Sequence, residues 1–207
     1  MIIEFLGVSG VGKTTVAKAY KRKLEKEGKE VIWDTYDLYA KNGWLVRNLK
    51  KAFRVMAFAF ANPKWVKEYK RFLNKNISSG KDILKPLFNA IFLKALLVKA
   101  RKDDKIHIFD EGALQYLWAV KLRNVHCKSI RKQDVSVAMT FFDVPDKLII
   151  VDASVKTIVT RIKQRGEYVK IMDYGKLEDS VIRMDQIKND IFSIVKNIIE
   201  FEIVENN

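Results

Sequence analysis

Between a short apolar stretch, Ile2 to Leu6, and a segment of helical patterning that begins near Lys13 stands the run Gly7-Val8-Ser9-Gly10-Val11-Gly12-Lys13-Thr14. The run has the spacing Gly-x4-Gly-Lys-Thr, which demands a strand to deliver it and a helix to leave it, so that successive N–H groups and the helix N-terminus converge on a phosphate. Gly7, Gly10 and Gly12 let the backbone curl, Lys13 brings an ammonium to the phosphates, and the Thr14 hydroxyl is a ligand for Mg²⁺. Val8, Ser9 and Val11 contribute mainly their backbone N–H groups, and Thr15 is a second hydroxyl beside the phosphates. The expected ligand is ATP or GTP with Mg²⁺.

The rest of the chain supports the same fold class. Five short β-rich segments, Ile2 to Leu6, Glu30 to Asp34, Lys105 to Asp110, Lys147 to Asp152 and Phe201 to Val204, are mostly followed by helical patterning. The runs at 2–6, 106–109 and 148–151 are almost continuously apolar, as in strands covered on both faces. The expectation is an α/β protein of three layers, α/β/α, with a central parallel sheet of about five strands in one domain over 1–207.

Between Asp34 and Lys105 the strand signal stops. Three helices are predicted there, roughly Trp44 to Ala61, Lys64 to Ile77 and Lys81 to Arg101, with breaks at Asn62-Pro63 and Ser78-Ser79-Gly80. The first is a basic amphipathic helix, with Leu45, Leu49, Phe53, Met56 and Phe60 on one face and Arg47, Lys50, Lys51 and Arg54 mostly off it. Residues 41–105 hold 17 of the 39 Lys and Arg but 4 of the 25 Asp and Glu, so nearly all of the net charge of +14 belongs to this insert, 41–104. Its longest apolar run, Ala90 to Val98, is interrupted by Lys94 and is core rather than a membrane span. The C-terminal Glu-Asn-Asn reads as a plain polar tail.

A second chemical signal is Ile106-His107-Ile108-Phe109-Asp110-Glu111-Gly112, an apolar strand that ends in two carboxylates. Alone, the pair reads as a helix start favoured by the dipole. Combined with the loop, Asp110 is the metal-side carboxylate. His107 alternates with apolar neighbours and is expected in the core, while His126 and Cys127 lack partners at metal-ligand spacing. Trp33, Tyr36, Tyr39 and Trp44 are packing residues or a stacking surface for an aromatic acceptor. A single cysteine makes no internal disulfide, and the strand at 2–6 leaves no room for a leader, so a cytoplasmic protein is expected.

Gly7 to Thr15, Asp110-Glu111-Gly112 and the segment Pro145 to Gly166 together resemble the thymidylate kinase-like branch of the P-loop nucleoside and nucleotide kinases. The resemblance implies that the helix ending in Arg161-Ile-Lys-Gln-Arg165 leads into a lid, about 165–185, and that Arg161 and Arg165 reach ATP phosphates. The bland reading makes these arginines cations at a helix C-terminus that Gly166 caps. The resemblance further implies a carboxylate after the second strand as the base that takes the acceptor's hydroxyl proton, hence Asp34 or Asp37, either of which would also serve as a helix N-cap. Where thymidylate kinases carry an acidic-proline-arginine signature and an Asp-Arg-aromatic triplet, this chain has Asp34-Thr35-Tyr36-Asp37 and Asp110-Glu111-Gly112. The resemblance thus carries the scaffold and leaves the acceptor open.

Two functions follow. One is a phosphotransferase that moves the γ-phosphoryl group of Mg-ATP to a small acceptor, phosphorylated or not, held between the strand-end loops and the insert. The other is a nucleotide-switched ATPase in which Glu111 activates water and the basic 41–105 segment binds nucleic acid or an anionic membrane surface.

Overall fold

The computed structural model describes residues 1–41, 43–77, 83–124, 129–165 and 176–207. Five strands form one all-parallel sheet: β1 Ile2–Leu6, β2 Val31–Ile32, β3 Ile106–Phe109, β4 Lys147–Asp152 and β5 Glu200–Glu205, in the order β2-β3-β1-β4-β5. Every residue of β1 is buried, as are Leu148 to Val151 of β4, which explains why these strands read as unbroken apolar runs. The described helices are α1 Lys13–Lys26, α2 Asp34–Ala40, α3 Trp44–Ala61, α4 Pro63–Asn76, α5 Leu84–Ala100, α6 Ala113–Leu122, α7 Lys132–Phe141, α8 Val155–Arg165 and α9 Leu177–Val195. The three-layer α/β/α architecture is the one expected.

Second-strand length is the first difference from expectation. Trp33 caps α2 and Asp34 is already its first residue, so β2 spans two residues rather than the five of 30–34. Strand propensity at Val31 and Ile32 gives way at once to a helix that carries Asp34 and Asp37 in its first turn, where carboxylates suit the dipole.

In the insert, Asn62 ends α3 and Pro63 opens α4, since proline lacks the N–H that a first helical turn leaves unused. The break at 78–80 lies outside the described residues. Helix α5 is buried through Ala90, Ile91, Phe92, Leu93, Leu96 and Leu97, so the Ala90 to Val98 run is core. Trp65 and Tyr69 of α4 stack at 5.0 Å and meet Phe141 and Phe142 edge-on, which seals the insert to the body.

Helix α3 is inverted. Val55 is buried, Lys51 donates to Asn89 Oδ1 of α5 at 2.7 Å, and Arg54 lies 3.9 Å from Asp34, whereas Leu45, Leu49, Phe53, Met56 and Phe60 all face solvent. The apolar stripe legible in the sequence points away from the core.

Candidate active site at the carboxyl ends of the strands

Adjacent strands bring the two chemical signals together. Glu4 of β1 lies opposite Phe109 of β3 in the sheet register, so the loop after Leu6 and the carboxylates after Phe109 emerge side by side. Chain order reverses direction around β1, and in open parallel sheets such a point is where the ligand crevice forms.

The loop has the shape its glycines imply. Gly10 and Gly12 have φ of 87° and 96°, a left-handed conformation that side chains resist. A Cβ on Gly7 would stand 2.8 Å from the Val151 carbonyl oxygen, and one on Gly12 would overlap the Asn206 side chain. Val8 and Val11 do more than offer N–H groups: both side chains are buried in the main core and anchor the loop. Thr14 and Thr15 are exposed at the start of α1, where hydroxyls can meet a ligand. Lys13 Nζ folds back to donate to the carbonyls of Gly7 at 2.8 Å and Val8 at 3.2 Å. Desolvation lowers its pKa to about 8, against the pull of Glu111 and Asp110 and with a smaller push from Arg165.

A buried carboxylate ties this loop to the third strand. Glu4 Oε1 accepts from the Gln115 N–H at 2.8 Å in the first turn of α6, an N-cap supplied from another strand. Gln115 Oε1 in turn accepts from the Gly7 N–H at 3.1 Å. Gly112 is required because a Cβ there would overlap the Glu4 carboxyl. Burial raises the Glu4 pKa from 4.5 to about 7, opposed by the backbone N–H groups of Gln115, Leu114 and Ala113. Nothing in the sequence marked Glu4 except a single acid in an otherwise apolar strand.

Beside the loop opens a cavity of about 400 Å³ whose lining includes Thr35, Tyr36 and Tyr39 from α2, Lys51 from α3, Asn89 and Phe92 from α5, and Asp110 and Glu111. Asp110 Oδ1 accepts from Trp33 Nε1 at 3.2 Å and Thr35 Oγ1 at 3.3 Å, so that carboxylate is held in place. Glu111 is open to the cavity yet ringed by protein. Partial desolvation, then Asp110 beside it, pushes its carboxyl above the ordinary range, while Lys13 and Lys51 draw it down. Lys51, half-buried, also sits 4.9 Å from the Phe92 ring centre, and burial lowers its pKa. A larger depression of about 630 Å³ lies by Lys29, Glu30 and Lys102 to Ile106, at the amino ends of β2 and β3 and away from the loop.

The sequence-selected residues divide into two groups. Lys13, Thr14, Asp110 and Glu111 cluster. Asp34 does not line the cavity: Lys99 Nζ lies 3.0 Å from its carboxylate, and His107 and Arg54 lie at 3.9 Å. Asp37 pairs with Lys41 one helical turn on, at 3.3 Å, and is likewise absent from the lining. Arg161 donates to the carbonyls of Val11 at 3.2 Å and Asn206 at 2.8 Å, on the outer side of the loop, and Arg165 is exposed at the end of α8. His107 is in the core, 1% exposed. Tyr36 and Tyr39 face the cavity, Trp33 is packed beneath it, and Trp44 is in solvent. Gly166, His126 and Cys127 lie outside the described residues, as does 166–175 of the expected lid, while Leu177 and Val181 are buried in α9.

Three more contributors went unread: Lys51, Asn89 and the tail. Asn206 donates from its side chain to the Val11 carbonyl at 2.7 Å and from its backbone to Asp152 at 2.8 Å, so the last residues brace the loop.

The residues fit Mg-nucleotide. Gly10 and Gly12 hold the left-handed backbone that curls such a loop, and the oxygens beside Lys13, those of the Asp110 and Glu111 carboxylates and of the adjoining Thr14 hydroxyl, are hard donors. Among the described residues no cluster of three or more His, Cys, Asp and Glu could hold a metal ion by itself.

No protein-family model matches the chain, and no curated protein matches it by sequence. Solved structures do match. Deoxyadenosine kinase from M. mycoides with dCMP and dCDP bound superposes with a TM-score of 0.57 at 18% identity, over 99% of this chain and 90% of that one. The same enzyme with bound dATP gives 0.54 at 17%, over 100% and 91%. Thymidylate kinase from Ehrlichia chaffeensis gives 0.50 at 17%, over 100% and 87%. The chain has the fold of the P-loop nucleoside and nucleotide kinases.

Proposed function

We propose that the protein is a phosphotransferase that moves the γ-phosphoryl group of Mg-ATP or Mg-GTP to a hydroxyl of a small acceptor, of nucleoside or nucleoside-monophosphate size, held in the 400 Å³ cavity. The observation that carries this reading is the cavity itself. A hydrolase needs room for one water beside the γ-phosphate, whereas here aromatic rings, an amide and an ammonium surround a space fit for a whole organic molecule.

Each residue then has a task. The loop N–H groups and Lys13 bind and orient the triphosphate, and Thr14 and Asp110 hold Mg²⁺, which when bound neutralises charge on the phosphates. Glu111 stands among Lys13, Asp110 and Lys51 and accepts the acceptor's hydroxyl proton, in place of Asp34 and Asp37. A carboxyl pushed above the ordinary range is a stronger base toward that proton. Lys51 and Asn89 bind the acceptor's polar end, and Tyr36 and Tyr39 pack on its rings or chain. Arg165 closes on the phosphates from α8, and Arg161 sets the outer wall of the loop.

Incubation with γ-labelled ATP and a panel of nucleosides, nucleoside monophosphates and phosphosugars, with a water-only control, tests the reading. Label should appear in one class of acceptor and stay in ATP without it. Release of inorganic phosphate regardless of acceptor would establish the ATPase instead.

A further inference from the structure

We infer that α3 is a membrane-docking helix, which lays its outward apolar stripe on an anionic lipid surface. Leu45, Leu49, Phe53, Met56 and Phe60 follow one line along the helix for about 22 Å, and Phe53 and Phe60 are 70% and 86% exposed. Those two rings alone offer roughly 300 Å² of apolar surface, and the three aliphatic side chains extend it to the size of patch that marks an interaction site. The stripe is not a packing failure, because the opposite side of α3 is well made: Val55 is buried, Lys51 is bonded to Asn89, and Arg54 faces Asp34.

Charge selects the occupant. From residue 38 to residue 67 there are seven Lys and Arg and no Asp or Glu. A second copy packed on the stripe would bring an identical set of cations within about 10 Å, less than or near the Debye length at ordinary salt, with no acid on either helix to meet them. Nucleic acid would need outward cations along the helix, yet Lys51 and Arg54 point inward and the outward line is aromatic and aliphatic. An anionic bilayer takes both parts: the Phe, Leu and Met side chains enter the acyl boundary, and exposed Lys50, Lys64 and Lys67 stand among the headgroups. No helix among the described residues is long and apolar enough to cross a membrane, so the mode is lying on the surface. Because Lys51 is on the inner side of the same helix, docking sets the cavity about one helix diameter, roughly 10 Å, from the lipid.

Flotation of the full chain with phosphatidylcholine vesicles, with and without phosphatidylglycerol, tests the inference beside Phe53→Asp and Phe60→Asp. Both positions are exposed, so the variants should keep the wild-type unfolding temperature and nucleotide affinity. Expected is binding to the anionic vesicles, weakened by salt and at least tenfold weaker in each variant. Absence of binding, equal binding to both vesicle types, or binding that the two variants leave intact overturns it. So does a dimer in light scattering that Phe53→Asp splits, which would assign the stripe to a second copy.

Discussion

Replacing Glu4 by Gln should remove a specific part of the protein's pH-dependent stability. Glu4 is 1% exposed, and burial raises its carboxyl from 4.5 to about 7 in the folded chain. Between those values the folded state holds a proton that the unfolded state has lost, so stability falls as pH rises through that window and levels off above about 7. Taking 4.5 as the unfolded value, the linkage between pH 5 and pH 8 amounts to about 2.5 kcal/mol. Gln has the shape of the protonated acid and can still accept the Gln115 N–H through Oε1, but it does not titrate. Urea unfolding of both proteins at pH 5, 6, 7 and 8 isolates the term, because every other ionisable group is common to the two. Glu4→Gln should gain on the wild type by about 2.5 kcal/mol from pH 5 to pH 8, with most of the change below pH 7. Parallel curves across that range would refute the assignment of a protonated, buried Glu4.

Four further outcomes follow. ATP binding near pH 8 should take up a fraction of a proton, because phosphate restores the ammonium on a Lys13 whose pKa stands at about 8; calorimetry in buffers of different ionisation enthalpy reads the uptake, and Lys13→Met should abolish it with most of the affinity. Glu111→Gln should lower kcat by about 10²-fold or more with little change in the acceptor's KM, and should erase an acid limb of the pH–rate profile that lies above the ordinary glutamate range. Lys51→Ala should raise the acceptor's KM while ATP affinity, measured without acceptor, stays unchanged. Trp65→Ala should cost about 3–5 kcal/mol in urea unfolding, since the ring joins α4 to Phe141 and Phe142.

What could be read from residues alone was whatever a local pattern dictates. The loop was legible because its glycines, Lys13 and Thr14 are fixed by spacing, and β1 and β4 because strands covered on both faces leave no polar positions. The setting of Asp34 and Asp37 was not legible. Whether an acid after the second strand reaches the site depends on where that strand ends. With β2 cut to Val31–Ile32, the helix starts at Asp34 and turns its carboxylate toward Lys99 and His107. Lys51, Asn89 and Asn206 were hidden for the same reason: each is brought in by a distant element, with no signature of its own. In α3 the amphipathic pattern was plain, but periodicity gives the existence of two faces and not which one the core receives. The decision was made by Asp34 and Asn89, which offer partners to Arg54 and Lys51 on the inner side.

The same partners explain why an insert so basic can be part of a site that also gathers carboxylates. Asp34, Asp110 and Glu111 stand near the strand ends, and an apolar wall against them would leave carboxylates facing a surface unable to solvate them. Turning the cationic side of α3 inward meets that charge with Arg54 at Asp34 and Lys51 near Glu111. The apolar stripe is then carried outward as a consequence of helix geometry, since residues on opposite sides of one helix cannot both face the core. Docking to lipid and binding an acceptor are in this sense two faces of one helix. A variant that re-inverted α3, with Lys51 and Arg54 made apolar and Phe53 and Phe60 made charged, should lose acceptor affinity and vesicle binding together while leaving the loop's nucleotide affinity in place. Loss of one without the other, measured on the same preparation, would show that the orientation of α3 is set elsewhere.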